Sequence, residues 1–371
     1  MGFLRFLLAV SVVLDHSNYP LWKIKLINGD MAVETFFIIS GFYMSLILNH
    51  KYNNYQLFIT NRFLRIYPIY WVVLILVFLS SVISGVEQGD WISLSSCIEW
   101  CRHINITSLA FLIITNLIIF GQDLVMFLGL NVHNGVLVFT KNFRLADPLM
   151  YNFLLIPQAW TLGLELVFYL VAPFILKKPI RFVLYLMGMS LLLRFFILFI
   201  LGWNYDPWTY RFFPTEFLFF LLGNMSYRIY KIINGRQKFL LVSKVVAIGF
   251  LLVFMCYSYI PVVSNLKTVI YYCFSFISLP FLFLATKDFK KDVRIGELSY
   301  PIYIVHMFVI SIANLFLSRF QLRNFETLII LCVTILTAFI LLKGIADPIE
   351  KFRQFRWMRQ GQSEGGIDPK S

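Results

Sequence analysis

The chain has 371 residues, 59% of them hydrophobic, 18% aromatic and only 14% charged, with 40 phenylalanines. That composition, with a mean hydropathy of +0.77, excludes an ordinary soluble domain. The net charge of +13 is distributed as short basic clusters between apolar runs, the pattern of a protein held in a lipid bilayer and not of one that binds nucleic acid.

In chain order the apolar runs predict an all-α polytopic membrane protein with about ten spans. They lie near 3–21, 31–48, 66–84, 160–176, 181–201, 214–232, 240–260, 267–286, 297–318 and 327–346. One transmembrane domain is expected over 1–351, followed by a basic, disordered tail over 352–371. The first helix is read as retained and not as a cleaved signal, because Asp15 and His16 stand where its apolar region should end. Phe6 occupies the position where myristoylation requires Ser or Thr.

The stretch 109–128 is apolar but broken by Asn116, Gly121, Gln122 and Asp123. If it does not span, the clusters at Arg62/Arg65, Lys177/Lys178/Arg181, Arg228/Lys231 and Lys287/Lys290/Lys291/Arg294 share one side. The rule that short basic loops stay in the cytoplasm then puts both termini there, with 109–128 re-entrant or lying in the outer interface. Residues 85–159 become a large outer region. Of the five cysteines, Cys256, Cys273 and Cys332 lie in apolar segments as expected packing residues, and Cys97 and Cys101 share an outer loop where a local disulfide can form. They make no metal-ligand pattern, so no metal is expected.

Ionisable residues at membrane depth are costly, which makes them functional candidates. The first helix carries Arg5 and His16, eleven residues apart and so within about 20° of one face, with about 16 Å between them along the axis. This suits an elongated anionic ligand with a reactive tip; the plainer alternative is a snorkelling Arg and a core His. The predicted topology puts His16, Glu34, Glu165, Arg194, Arg211 and Glu216 toward the outside, and Arg5, Arg62 and Arg65 near the inner face. The inner arginines suit a polyphosphate, although the positive-inside bias alone would put Arg62 and Arg65 there. In the outer set Glu165 is the expected partner of His16, steadying an imidazolium formed by proton abstraction; a merely structural His–Glu pair is the alternative. His306, with Tyr303 one turn before it, reads as structural or pocket-lining.

These residues resemble the membrane-bound acyltransferase 3 family. Arg5 and His16 reproduce its Arg-x10-His pattern, and Phe36-Phe37-Ile38-Ile39-Ser40-Gly41-Phe42 is similar to its second helix. The stretches Arg62–Trp71, Trp160–Tyr169, Arg211–Gly223, Gly296–His306 and Ile349–Lys351 resemble further blocks in family order. Thr161 stands where the family usually has Ser, and Phe352 where it has Pro. No hydrolase-like domain of the kind some members carry is recognisable in the sequence.

The resemblance implies a bacterial inner-membrane enzyme that moves an acyl group, most often acetyl, from acyl-CoA to a hydroxyl of a surface polysaccharide, lipopolysaccharide or lipid-linked glycan. The acyl-CoA is a co-substrate, with no tightly bound cofactor. His16, Glu165 and Arg5 are the expected catalytic residues, and Arg62, Arg65 and Arg5 the expected acyl-CoA contacts. Glu34, Arg194, Arg211, Glu216, Trp160, Tyr303 and His306 are assigned to the acceptor side or the pocket. A transporter or flippase of lipid-linked glycans is the alternative; the inverted repeats typical of many transporters are missing from the sequence.

Overall fold

The computed structural model describes residues 1–17, 26–52, 54–320 and 325–363. Among them, eight helices are long and apolar enough to cross a bilayer. Helices α1 (Gly2–His16) and α2 (Gly29–His50) run antiparallel, and α3 (Tyr55–Gln88) follows. The segment that follows contains α4 (Ser95–Trp100), α5 (Ile106–Ile118), α6 (Gln122–Val125) and a hairpin of β1 (Leu128–Asn131) and β2 (Val136–Phe139). Then come α7 (Trp160–Ile175), α8 (Ile180–Phe195, prolonged by a π turn through Ile200), α9 (Phe213–Ile233), α10 (Lys238–Cys256) and α11 (Ser264–Thr286). The short α12 (Lys290–Glu297) leads into α13 (Ser299–Phe320), and α14 (Glu326–Leu341) passes through a second π turn into α15 (Asp347–Ser363). Two of the ten predicted spans fall outside the eight: α1 has 15 residues, and α9 carries Glu216, Asn224 and Arg228.

The bundle is organised on α2 and α9, which approach through glycines. A Cβ on Gly41 would lie 1.9 Å from the Phe220 carbonyl, and one on Gly223 would lie 2.0 Å from the Ile38 carbonyl. Small residues facing one another let two backbones close to van der Waals distance, which is how membrane helices gain packing energy. Phe37 stacks on Phe220 beside this crossing at 4.6 Å, and Phe220 stacks on Phe168 of α7 at 4.2 Å.

Helix α3 starts eleven residues before the predicted span. Asn54 caps it, its side chain accepting from the Leu57 amide at 3.0 Å, so hydrogen bonding begins well before the apolar run. Its 34 residues reach about 50 Å, some 20 Å more than a hydrocarbon core needs.

The 109–128 stretch does not form a spanning helix. α5 has 13 residues, about 20 Å, and the chain turns back at Ile119 (φ 67°) and Gly121 (φ 83°). A helix end inside a membrane leaves carbonyls that lipid cannot satisfy. Here α3 supplies the donors: Tyr70 to the Asn116 carbonyl at 2.5 Å, Trp71 Nε1 to Leu117 at 2.9 Å, and Tyr67 to Ile118. The hairpin that follows was not legible as strand in an apolar, helix-rich context.

Three further expectations are corrected. Cys97 and Cys101 are free, not bridged. Cys256, Cys273 and Cys332 are exposed on the exterior of the bundle and do not pack inside it. The tail is helical through Ser363: Asp347 and Glu350 favour the first turn of α15, and Glu350 pairs with Arg353 one turn on at 2.5 Å. The remaining tail residues, 364–371, lie outside the described ones.

Candidate active site

Helix α1 links two chemically different places. Its N-terminus is held by α12: Asp292 accepts from the Gly2 and Phe3 amides at 2.6 and 2.8 Å, satisfying two donors that the helix itself cannot. Gly296 lies directly against Gly2. From this N-terminal end of the bundle a cavity of about 390 Å³ runs inward. Arg5, Arg65, Lys287, Asp292 and Glu297 stand along it among largely apolar walls, and Phe36, Thr161 and Tyr303 also line it. The Arg5 guanidinium sits over the Tyr43 ring at 6.0 Å and makes no ion pair among the described residues.

Glu165 also lines this cavity. It accepts hydrogen bonds from Ser40 at 2.6 Å and from Tyr169, one helical turn along α7, at 2.5 Å. Two hydroxyl donors at such short range are charge-assisted bonds that fix the carboxylate in one orientation. Further from the N-terminal end, the Tyr303 hydroxyl donates to the Gln158 carbonyl at 3.1 Å and accepts from Thr161 at 2.9 Å. The hydroxyl of Thr161 therefore has a defined place beside the cavity.

Tyr303 begins a row of rings that leaves the cavity. Its centroid is 5.8 Å from that of His306, which lies 5.1 Å from that of His16. His306 is fully buried, whereas His16, at the last turn of α1, is exposed at the far end of the bundle. Nδ1 of His16 is 2.9 Å from the Val12 carbonyl, and Nδ1 of His306 is 2.6 Å from the Tyr303 carbonyl. A carbonyl can only accept, so both Nδ1 atoms carry a proton, and in the neutral ring the lone pair is then on Nε2. Nε2 of His306 has no partner among the described residues.

A family model of the acyltransferase domain matches residues 1–343. The chain belongs to the acyltransferase 3 family. No curated protein and no solved structure matches it.

In this acyltransferase the expected pairing of His16 with Glu165 does not form. Thr161 is level with Tyr303 and His16 with His306, one turn further along α13, while Glu165 lies one turn from Thr161 in the opposite direction. The reason is that α7 starts inside the bundle, with Ala159 and Trp160 buried, so five further residues carry Glu165 toward the Arg5 side. Of the three arginines assigned to the donor, Arg5 and Arg65 line the cavity and Arg62 does not; Arg62 is 4% exposed, against the Phe58 ring.

The acceptor-side set divides similarly. Arg194 bridges Glu34 and Glu216 at 3.1 Å each and donates to the Thr209 carbonyl at 2.7 Å, while Tyr272 also bonds Glu34. This buried cluster ties α2, α8, α9 and α11 together, away from the cavity lining. Arg211 lies over the Trp160 ring at 4.4 Å and binds Asp206 at 2.6 Å, and Asp206 also holds Arg144 at 2.8 Å. Arg211 and Trp160 thus join the loops that carry Arg144 and Asp206 to the start of α7. Sequence reasoning passed over Ser40, Tyr43 and Tyr169 as separate candidates. The i, i+4 spacing of Glu165 and Tyr169 was the available signal.

Proposed function

We propose that this acyltransferase takes an acyl group, most simply acetyl, from cytoplasmic acyl-CoA. It passes the group to a hydroxyl of a cell-surface polysaccharide or lipid-linked glycan, working in a bacterial inner membrane with both termini cytoplasmic. One observation carries the reading. The same helix bears a cation of the cavity, Arg5, and about 16 Å further an exposed imidazole at the opposite end, whose Nδ1 is bonded to the Val12 carbonyl.

In this reading Arg65 and Lys287 receive the phosphates of the donor at the N-terminal end, and Arg5 stands deeper along the same route. Guanidinium groups suit phosphate because their donors form a planar fork. The apolar walls take the uncharged arm past Thr161 and Tyr303, and its thioester end reaches beyond the cavity, along the His306 ring, to His16. His16 Nε2 takes the proton of the acceptor hydroxyl as its oxygen attacks the thioester carbonyl. The carbon–sulfur bond then breaks, and the imidazolium returns the proton to the departing thiolate. Should His16 itself carry the acyl group, Nε2 bonds to the thioester carbon as the carbon–sulfur bond breaks; the acceptor oxygen then bonds to that carbon as the nitrogen–carbon bond breaks, and the hydroxyl proton goes to the thiolate. Glu165, held by Ser40 and Tyr169, sets the charge around Arg5 and does not orient His16.

The test uses purified protein in lipid nanodiscs with radiolabelled acetyl-CoA and glycan fragments. Label should appear on the glycan as an alkali-labile ester. Movement of a lipid-linked glycan across the bilayer without ester formation would replace this reading with transport.

A further inference from the structure

A second cavity of about 350 Å³ lies behind α13, walled by α3, the segment around α4 and residues 151–158. It differs in kind from the first. Eight of its 18 lining residues carry a hydroxyl or an amide, and none is Asp, Glu, Lys, Arg or His. Ser80, Ser95 and Ser311 donate to carbonyls of their own segments and keep oxygen lone pairs for a ligand. Ser93, Ser96 and Asn152 make no side-chain hydrogen bond among the described residues. Gln158 is 7% exposed; its Nε2 donates to the Ile304 carbonyl at 2.8 Å, and its Oε1 is buried without a partner. A buried amide oxygen left unpaired costs free energy, and this one belongs to a residue of the cavity wall.

We propose that this second cavity binds a neutral sugar unit of the acceptor, as an anchoring subsite separate from the point of acylation. The inference rests on the proposed glycan acceptor and specifies how it is held. Its volume falls at the lower end of the range for small-ligand clefts, about 300–1,000 Å³. The uncharged hydroxyl-and-amide lining matches a polyol, and Tyr151 and Phe308 supply ring surface for the apolar face of a pyranose. A lipid chain would leave the side chains of Ser93, Ser96 and Asn152 unpaired, and an anionic sugar would meet no cation.

The placement fits an anchoring role. Ile304, Phe308 and Ser311 face this cavity from α13, whereas His306 points from the opposite side of that helix toward His16. The sugar held here is therefore a different unit of the glycan from the acylated one, with α13 between them. Gln158 separates the two cavities: its side chain lines the second, and its carbonyl receives Tyr303, which lines the first.

The experiment compares wild type with Ser96→Trp, which fills the cavity, and Asn152→Leu, which removes an amide without adding bulk. Neutral methyl hexosides and their disaccharides serve as probes in saturation-transfer NMR on nanodisc-embedded protein, with lipid alkyl chains as the competing occupant. Wild type should bind at least one neutral sugar, and both variants should lose that signal. Their KM for the glycan should rise at least tenfold while KM for acyl-CoA stays within twofold, which also reports an intact fold. Absence of sugar binding by wild type, displacement by alkyl chains alone, or an unchanged glycan KM in both variants would overturn the subsite. If wild type binds sugars here but esterifies no glycan, the functional reading fails and the subsite stands.

Discussion

His16 ends α1 with its Nδ1 proton committed to the Val12 carbonyl, which presents a basic Nε2 at an exposed position. A positioned general base contributes about 10²–10⁴-fold to a rate, so His16→Ala should lower acyl transfer by at least two orders of magnitude. Because the side chain is exposed, the variant should still accumulate in the membrane at wild-type level. Near-normal turnover in a well-expressed His16→Ala protein would remove this residue from the mechanism. The arginines separate in the same way. Arg65 lines the cavity, so Arg65→Ala should raise KM for acyl-CoA about tenfold, the loss of one charge-assisted contact of roughly 1.5–3 kcal/mol. Arg62 is buried outside that lining, so Arg62→Ala should lower thermal stability and leave the donor KM nearly unchanged. Equal KM effects from both would contradict the geometry. At this scale the sequence made Arg5, His16 and Glu165 visible, because ionisable groups stand out in apolar helices. It did not show which of them meet. The ends of apolar runs do not mark depth where a helix begins inside the bundle, as α7 does, and so they pair Glu165 with the wrong neighbour.

Among the elements, α5 shows how a sequence with helical composition can stop within a membrane protein. Three consecutive carbonyls at its end, those of Asn116, Leu117 and Ile118, accept hydrogen bonds from Tyr70, Trp71 and Tyr67 of α3. The Asn116 side chain adds bonds to the Phe153 carbonyl at 2.9 Å and from the Leu155 amide at 2.8 Å. Removing one donor from such a site leaves a buried carbonyl unpaired, at a cost of about 1–3 kcal/mol. Tyr70→Phe should therefore lower the unfolding temperature in detergent by several degrees without changing KM for acyl-CoA, since Tyr70 does not line the first cavity. A wild-type unfolding temperature would show that water replaces the hydroxyl. The polar interruptions at 116–123 were readable as a break in the span. The aromatic donors were not, because their partners lie some 46–51 residues away in the chain. The early start of α3 was missed for a different reason: hydropathy marks where lipid begins, whereas a helix begins at its cap.

For the molecule as a whole, direction across the membrane decides what each end of the cavity meets. The basic groups at Lys177 and Lys178, at Lys287, Lys290 and Lys291, and at Arg62 and Arg65 all belong to the end of the bundle that carries Met1. Short loops rich in Lys and Arg remain cytoplasmic, so this end is expected inside and the β1–β2 hairpin outside. With the five native cysteines replaced by serine or alanine, His133→Cys in the exposed hairpin turn should react with a membrane-impermeant thiol reagent in intact cells. Lys178→Cys, exposed after α7, should react only once the membrane is opened. Both sites avoid the cavity lining, so labelling reports orientation and not occupancy. The reverse pattern would point the Arg5 and Arg65 end of the cavity at the outside, where no cytoplasmic acyl-CoA reaches it. His16 would then face the cytoplasm, and a surface glycan could not be its acceptor.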